Sequence, residues 1–132
     1  MVKRADTSPV RHSGRAVSRL ASFGHALRGL TVLLRQPNAC IHVGVALVVV
    51  ALAWALQVSV LEWCVLALAM ALVLGAEALN TAIELVVDMV QPEWHAMARD
   101  AKDVAAAGVL LCSLGAAVVG LCVFAPRLWA LM

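Results

Sequence analysis

Two long runs without a charged residue constrain this chain more than any other feature of its sequence. Residues 39–61 and residues 104–126 each extend for 23 positions without Asp, Glu, Lys or Arg. A helix needs about 20 apolar residues to cross a hydrocarbon core of roughly 30 Å. A third uncharged run, residues 63–76, continues with helical spacing through acidic side chains to about Val90. We therefore predict three transmembrane helices, at about 39–61, 63–90 and 95–125.

The composition excludes an ordinary water-soluble domain. The chain has 132 residues, of which 64% are hydrophobic and 14% charged, whereas soluble domains are about 45–50% apolar and about 25% charged. A chain this short also has too little interior to bury so much apolar surface. The expected fold class is an all-α integral membrane protein, with residues 15–132 as a single domain.

The basic residues predict the orientation in the membrane. Seven of the ten lie within the first 35 positions: Lys3, Arg4, Arg11, Arg15, Arg19, Arg28 and Arg35. Because Lys and Arg collect on the cytoplasmic side, we expect a cytoplasmic N-terminus, an external C-terminus and a cell-membrane location. The cluster suits anionic lipid head groups, and no soluble fold accompanies it that would indicate a nucleic-acid partner.

The N-terminal region divides into a tail and a helix. Residues 1–14 are predicted to be disordered. Residues 15–35 are predicted to form an amphipathic helix in the membrane interface, with one apolar stripe of Ala16, Leu20, Phe23, Leu27, Leu30 and Leu34. Pro37 and Asn38 are expected to break the chain before the first span, and no apolar core of a secretion signal precedes them.

The most informative stretch lies at the end of the second predicted span. Five polar residues share one face of that helix at spacings i, i+3, i+4, i+7 and i+11: Glu77, Asn80, Thr81, Glu84 and Asp88. A carboxylate at membrane depth costs at least about 2.5–3.5 kcal/mol, which indicates a function such as holding Mg²⁺ or accepting a proton. The alternative is simple pairing with cations at the membrane edge, for which Arg28, Arg99 and Lys102 are available.

A second polar cluster precedes the last span. His95, Arg99 and Lys102 are expected on one helical face, and Lys102 is suited to neutralising nucleotide phosphates. Asp103 is expected to hold a cation or to position Lys102. Ordinary charge anchoring beside the membrane is the alternative. The sequence has no GxxxxGK[ST] loop, so a nucleotide would bind in a different way from P-loop proteins.

These two segments resemble the prokaryotic diacylglycerol kinase family, which includes the undecaprenol kinases. The resemblance rests on EALNTAIELVVD from Glu77 and HAMARDAKDVAAAGVLL from His95, and it covers about residues 20–125. It implies a homotrimer of three-span subunits with an interfacial helix and with active sites shared between subunits at the cytoplasmic face. The implied reaction transfers the γ-phosphoryl group of ATP to a lipid hydroxyl with Mg²⁺.

The resemblance also implies roles for individual residues. Glu77 would act as the general base or position the lipid hydroxyl, and Thr81 would join it at the lipid substrate. Asn80 would orient substrate or phosphate, and Glu84 would hold Mg²⁺. The ATP and phosphate side would be formed by four residues, Lys102, Asp103, Asp88 and Arg28.

The sequence departs from the family pattern at two positions. Gln36 stands where many members have a metal-ligating glutamate, so it is at most a weak, uncharged metal ligand. Cys40 stands where members often have Arg, which puts a substrate or lipid contact in doubt.

Three interpretations of the function stay open beside diacylglycerol phosphorylation. The acceptor could be undecaprenol, since both lipids are apolar with one hydroxyl. The protein could instead be a cation-conducting oligomer or a regulatory homologue without activity. Small residues in the last span favour close helix packing and hence an oligomer, namely Ala105, Ala106, Ala107, Gly108, Gly115, Ala116 and Gly120.

Overall fold

The computed structural model describes residues 19–130 and 132, and these residues fold into four helices. The helices are α1 (Arg19–Leu33), α2 (Pro37–Ala55), α3 (Val60–Val90) and α4 (Ala96–Trp129). By length and composition α2, α3 and α4 can each cross a membrane. The all-α class with three spans after a shorter N-terminal helix is therefore confirmed, while the predicted tail of residues 1–14 lies outside the described residues.

The first span differs from its prediction at both ends. Pro37 occupies the first turn of α2, where its missing N–H has no helical partner to lose. Helix α2 therefore begins at Pro37, and the break predicted at Pro37 and Asn38 does not occur there. It ends at Ala55, six residues before the predicted boundary. Gln57 then adopts a positive φ of 47°, and the Val58 N–H donates to the Ala53 carbonyl at 3.2 Å, which closes the turn into α3.

A capping box starts α3 earlier than predicted. The Ser59 hydroxyl accepts from the Glu62 N–H, and the Glu62 carboxylate accepts from the Ser59 N–H at 2.8 Å. This reciprocal pattern satisfies two of the free donors at a helix N-terminus. Glu62, predicted for the connector, therefore lies in the first turn of α3, and the helix continues for 31 residues to Val90, where the prediction ended it.

The connection from α3 to α4 corrects one predicted helical face. Gln91 caps the end of α3, and α4 begins at Ala96, one residue after the predicted start of the last span. His95 is the N-cap residue, and its Nδ1 accepts from the Met97 N–H at 3.2 Å. Because an N-cap residue has extended backbone, His95 does not share a helical face with Arg99 and Lys102.

Helix α3 is the centre of the subunit. It packs along α4 and more briefly against α2 and α1. A core cluster forms at the α2–α3 turn and the far end of α4, from Ala53, Val58, Leu66, Val123 and Phe124. Four small residues of α4 are half-buried within the subunit, Ala105, Gly108, Ala116 and Gly120, whereas Ala106, Ala107 and Gly115 are exposed.

Candidate functional site

The polar face of α3 is buried at its centre. Glu77 is 2% exposed, and Asn80 and Thr81 are each 5% exposed. The same face continues through half-buried Glu84 to exposed Asp88 at the Val90 end of the helix. The spacing of these residues thus predicted correctly that they share one face of α3. The fold turns the centre of that face towards the rest of the subunit instead of towards lipid.

Hydrogen bonding along this face is incomplete. The Asn80 side-chain amide donates to Glu84 Oε1 at 2.9 Å, a bond between residues one helical turn apart. Asn80 Oδ1 is enclosed and has no partner within the described residues. Among the same residues, no hydrogen bond or ion pair reaches the Glu77 carboxylate. Two buried acceptors, the Glu77 carboxylate and Asn80 Oδ1, are therefore left without a donor in the described part of this structure, and Glu84 is oriented by Asn80.

Lys102 of α4 forms an ion pair at the exposed end of this face, which is called its open end. Its Nζ lies 2.5 Å from Asp88 Oδ1. Asp103 instead faces Arg99, with 3.8 Å between the Arg99 Nε and Asp103 Oδ2 atoms, and Arg99 also contacts Asp100. Of the three acids on the polar face of α3, only Asp88 is thus paired with a described cation. The acid that Lys102 contacts in the structure is Asp88 and not Asp103.

Three other predicted residues are less closely tied to the acidic face. Arg28 lies exposed on α1, and no ion pair within residues 19–130 joins it to an acid. Gln36 is the half-buried N-cap residue of α2, and its side chain makes no cap hydrogen bond. The Cys40 thiol donates to the Leu34 carbonyl at 3.2 Å, so Cys40 is engaged in the α1–α2 connection.

The oxygen ligands on this face suit a Mg²⁺ ion that is also coordinated by the phosphate groups of the substrate. The described residues contain no group of three or more His, Cys, Asp or Glu side chains that could hold a metal by themselves. Mg²⁺ at phosphoryl-transfer sites is usually held by one or two carboxylates together with phosphate oxygens and water. The Glu84 carboxylate and the unpaired amide oxygen of Asn80 are hard oxygen ligands of that kind.

An apolar groove of about 510 Å³ runs between α1 and α3 beside the acidic face. Eight of its nine lining residues are apolar, Ala26, Gly29, Leu30, Val32, Leu33, Ala78, Ala82 and Leu85. The ninth is Thr81, the neighbour of Asn80 on the buried polar face. A hydrocarbon chain lying in this groove would bring its polar end close to that face.

An ion pair that was not predicted from the sequence lies at the opposite end of the bundle. Both guanidinium Nη atoms of Arg127 donate to the Glu62 carboxylate at 2.7 Å, and Nη1 also donates to the Val123 carbonyl. A signal existed, because Glu62 and Arg127 directly follow the two long uncharged runs, and the ends of the first and third spans lie on the same side of a membrane. Ser113, which no sequence pattern singled out, has its Oγ enclosed in α4 without a hydrogen-bond partner within the described residues.

Comparison with known proteins agrees with the character of this site. Residues 24–124 match the family model described as prokaryotic diacylglycerol kinase. The chain is 34% identical over 108 residues to the undecaprenol kinase of Bacillus subtilis (strain 168), covering 81% of this chain and 88% of that protein. It is 40% identical over 115 residues to the diacylglycerol kinase of Synechocystis sp., covering 86% of this chain and 66% of that protein.

Proposed function

Because this chain belongs to the prokaryotic diacylglycerol kinase family of ATP-dependent lipid kinases, we propose that it phosphorylates diacylglycerol. The γ-phosphoryl group of ATP passes to the lipid hydroxyl, and the products are phosphatidic acid and ADP. The observation that carries the proposal is the buried polar face of α3, where a carboxylate at Glu77 lacks any described partner and Glu84 is held by Asn80.

Glu77 acts as the general base in this proposal. Its carboxylate takes the proton of the lipid hydroxyl while the hydroxyl oxygen forms a bond to the γ-phosphorus, and the bond from that phosphorus to the bridging oxygen of ADP breaks. A base must lie within hydrogen-bond reach of the proton that it removes. The unsatisfied, nearly inaccessible carboxylate of Glu77 is free to make that contact.

The phosphates lie on the side of Glu84, Asp88 and Lys102. Glu84 would hold Mg²⁺, which when bound neutralises charge on the transferred group. Lys102 contacts the phosphates as a mobile positive charge, and Asp88 orients it through their ion pair. Arg28 and Asp103 are placed at the outer, solvated part of the ATP site, while Gln36 contributes at most a weak, uncharged metal contact.

The membrane supplies the alignment of the two substrates. The lipid lies in the groove between α1 and α3, with Thr81 beside its hydroxyl end, and ATP arrives from the cytoplasm. This requires the open end of the acidic face to be cytoplasmic, as the basic N-terminal residues predict. Three subunits form a homotrimer with shared active sites in this proposal.

Undecaprenol is the second candidate acceptor. It is favoured by the relative from Bacillus subtilis, which is named an undecaprenol kinase and is matched over 88% of its length. Both lipids present one hydroxyl on a long hydrocarbon body, and the groove between α1 and α3 is apolar in all but Thr81. The two acceptors are therefore distinguished by measurement of rates.

The test is ATP-dependent phosphorylation by the purified protein in mixed micelles with Mg²⁺, offering diacylglycerol and undecaprenol separately. We expect transfer to diacylglycerol at the higher kcat/KM. Glu77→Gln should lower kcat by about 10²–10⁴-fold, the usual contribution of a general base.

The matched control is Glu93→Gln, the same substitution at an exposed acid in the α3–α4 connection, which should leave kcat unchanged. A higher kcat/KM for undecaprenol would make that lipid the substrate. Full activity of Glu77→Gln would refute the proposed base.

A further inference from the structure

The two ion pairs between α3 and α4 define how these helices align. Glu62 lies opposite Arg127 at one end, and Asp88 lies opposite Lys102 at the other. Counting from the second pair, Glu77 is 11 residues before Asp88, and Ser113 is 11 residues after Lys102. Eleven residues are about three helical turns, so each residue returns to the face of its own helix that carries the ion pair.

The other end of the helix pair gives the same alignment. Glu77 is 15 residues after Glu62, and Ser113 is 14 residues before Arg127. The two counts differ by one residue, which corresponds to about 1.5 Å along a helix. Ser113 of α4 therefore lies level with Glu77 of α3 and on the facing side.

Both side chains lack partners in this interior position. Ser113 Oγ is enclosed and unpaired within the described residues, so it does not use the carbonyl one turn earlier, which is the common partner of a helical serine. The Glu77 carboxylate is buried and likewise receives no hydrogen bond from them. A hydroxyl is a donor and a carboxylate is an acceptor, and an unpaired polar group at membrane depth is costly.

Ser113 is also the only hydroxyl side chain in α4. Its neighbours on the buried side of the helix are alanine, glycine, valine and cysteine, which are suited to packing alone. The single hydroxyl of a 34-residue helix thus lies at the level of the most buried carboxylate of the chain's described part.

We infer that Ser113 is a positioning residue for Glu77: its hydroxyl donates a hydrogen bond to one carboxylate oxygen and leaves the other oxygen for the lipid hydroxyl. The bond forms by rotation about the side-chain torsions of Ser113 and Glu77, neither of which has a hydrogen-bond partner within the described residues. The inference rests on the proposed role of Glu77 and adds the group that holds its carboxylate in one orientation.

The kinetic test compares Ser113→Ala, Ser113→Thr and the neighbouring Cys112→Ala in the micelle assay. Ser113→Ala should lower kcat by about 10-fold or more, the effect of losing one hydrogen bond to a charged group, with KM for ATP unchanged. Ser113→Thr retains the hydroxyl and should keep most of the activity, and Cys112→Ala should behave as the wild type. Loss of packing alone would not be rescued by threonine, which is larger than serine.

A second test measures proximity without activity. In a chain whose four native cysteines are replaced by alanine, Glu77→Cys with Ser113→Cys should lose both free thiols on mild oxidation and recover them with reductant. A disulfide requires Cα atoms about 4.4–6.8 Å apart. Leu79→Cys with Ser113→Cys is the control, because Leu79 is exposed on another face of α3, and it should keep both thiols.

The outcomes distinguish failure of the positioning role of Ser113 from failure of the base role of Glu77. Wild-type kcat in Ser113→Ala, or failure of the 77–113 cysteine pair to oxidise, overturns the positioning role even when Glu77→Gln is inactive. Full activity of Glu77→Gln refutes the base itself, whatever Ser113 does.

Discussion

Lys102 reaches across to Asp88 on α3 and does not pair with its neighbour Asp103. The reason is helix geometry: adjacent residues point about 100° apart, whereas residues four apart lie on one face. Arg99 and Asp103 have the spacing of four and contact each other, which leaves Lys102 for the facing helix. The cation expected at the phosphates is therefore attached to the end of the acidic face.

At the residue scale we predict that Lys102→Met weakens ATP use. A hydrogen bond to a charged group contributes about 1.5–3 kcal/mol, so kcat/KM for ATP should fall by about 10- to 100-fold, mostly through KM. Titration of ATP at saturating lipid measures this. Arg99→Met, which removes an exposed cation one turn earlier on α4, should change kcat/KM little. An unaltered KM for ATP in Lys102→Met would remove Lys102 from the phosphate site.

Helices α3 and α4 are aligned mainly by their polar ends. Between the two ion pairs the buried apolar residues are few, such as Val73 on α3 and Val109 on α4, and no hydrogen bond within the described residues joins the buried polar face of α3 to α4. In lipid, apolar side chains gain little by leaving the surroundings for a helix interface, so the hydrophobic residues alone discriminate weakly between neighbouring registers. The bidentate Glu62–Arg127 pair supplies directional bonds far from the acidic face.

At the element scale we predict that Arg127→Met lowers the thermal midpoint in detergent and also the kinase rate, because the α3–α4 register is less well defined. The charge-swapped protein Glu62→Arg/Arg127→Glu should recover part of both, since a salt bridge can re-form. Unfolding followed by circular dichroism and the micelle assay measure the two effects. Unchanged stability and rate in Arg127→Met would show that the packing alone sets the register.

A single subunit leaves much apolar surface uncovered. Large apolar side chains are exposed on every helix, for example Phe23 on α1, Ile41 on α2, Leu68 on α3 and Leu121 on α4. Lipid can cover such side chains, whereas small exposed residues such as Gly115 on α4 are typical of close helix–helix contacts. This supports a membrane-embedded oligomer.

At the scale of the whole molecule we predict a particle of three chains in mild detergent, measured by light scattering with the detergent mass subtracted. Gly115→Leu should shift the particles towards fewer chains, because a large side chain would hold neighbouring helices apart. Val118→Leu, which introduces leucine at an exposed position that is already large, should leave the assembly intact. A wild-type particle of one chain would contradict the trimer and the shared sites with it.

Local sequence patterns determined the elements of this protein. The uncharged runs predicted three spans because a membrane requires helices of a given length, and the end of α3 at Val90 followed from the acidic residues spaced on one face. The same spacing predicted which side chains would share the polar face of α3. Helix ends were predicted less well, because Pro37, Ser59 and His95 act as starting or capping residues whose role depends on backbone geometry.

Only the tertiary structure decided which residues face each other across helices. The sequence contains the Glu62, Arg127 and Ser113 side chains, but their significance depends on the antiparallel register of α3 and α4. The sequence also left open whether Asp88 or Asp103 pairs with Lys102, because both acids lie close to Lys102 along the chain. Periodicity describes one helix at a time, whereas partners between helices are chosen by packing that joins residues up to 65 positions apart.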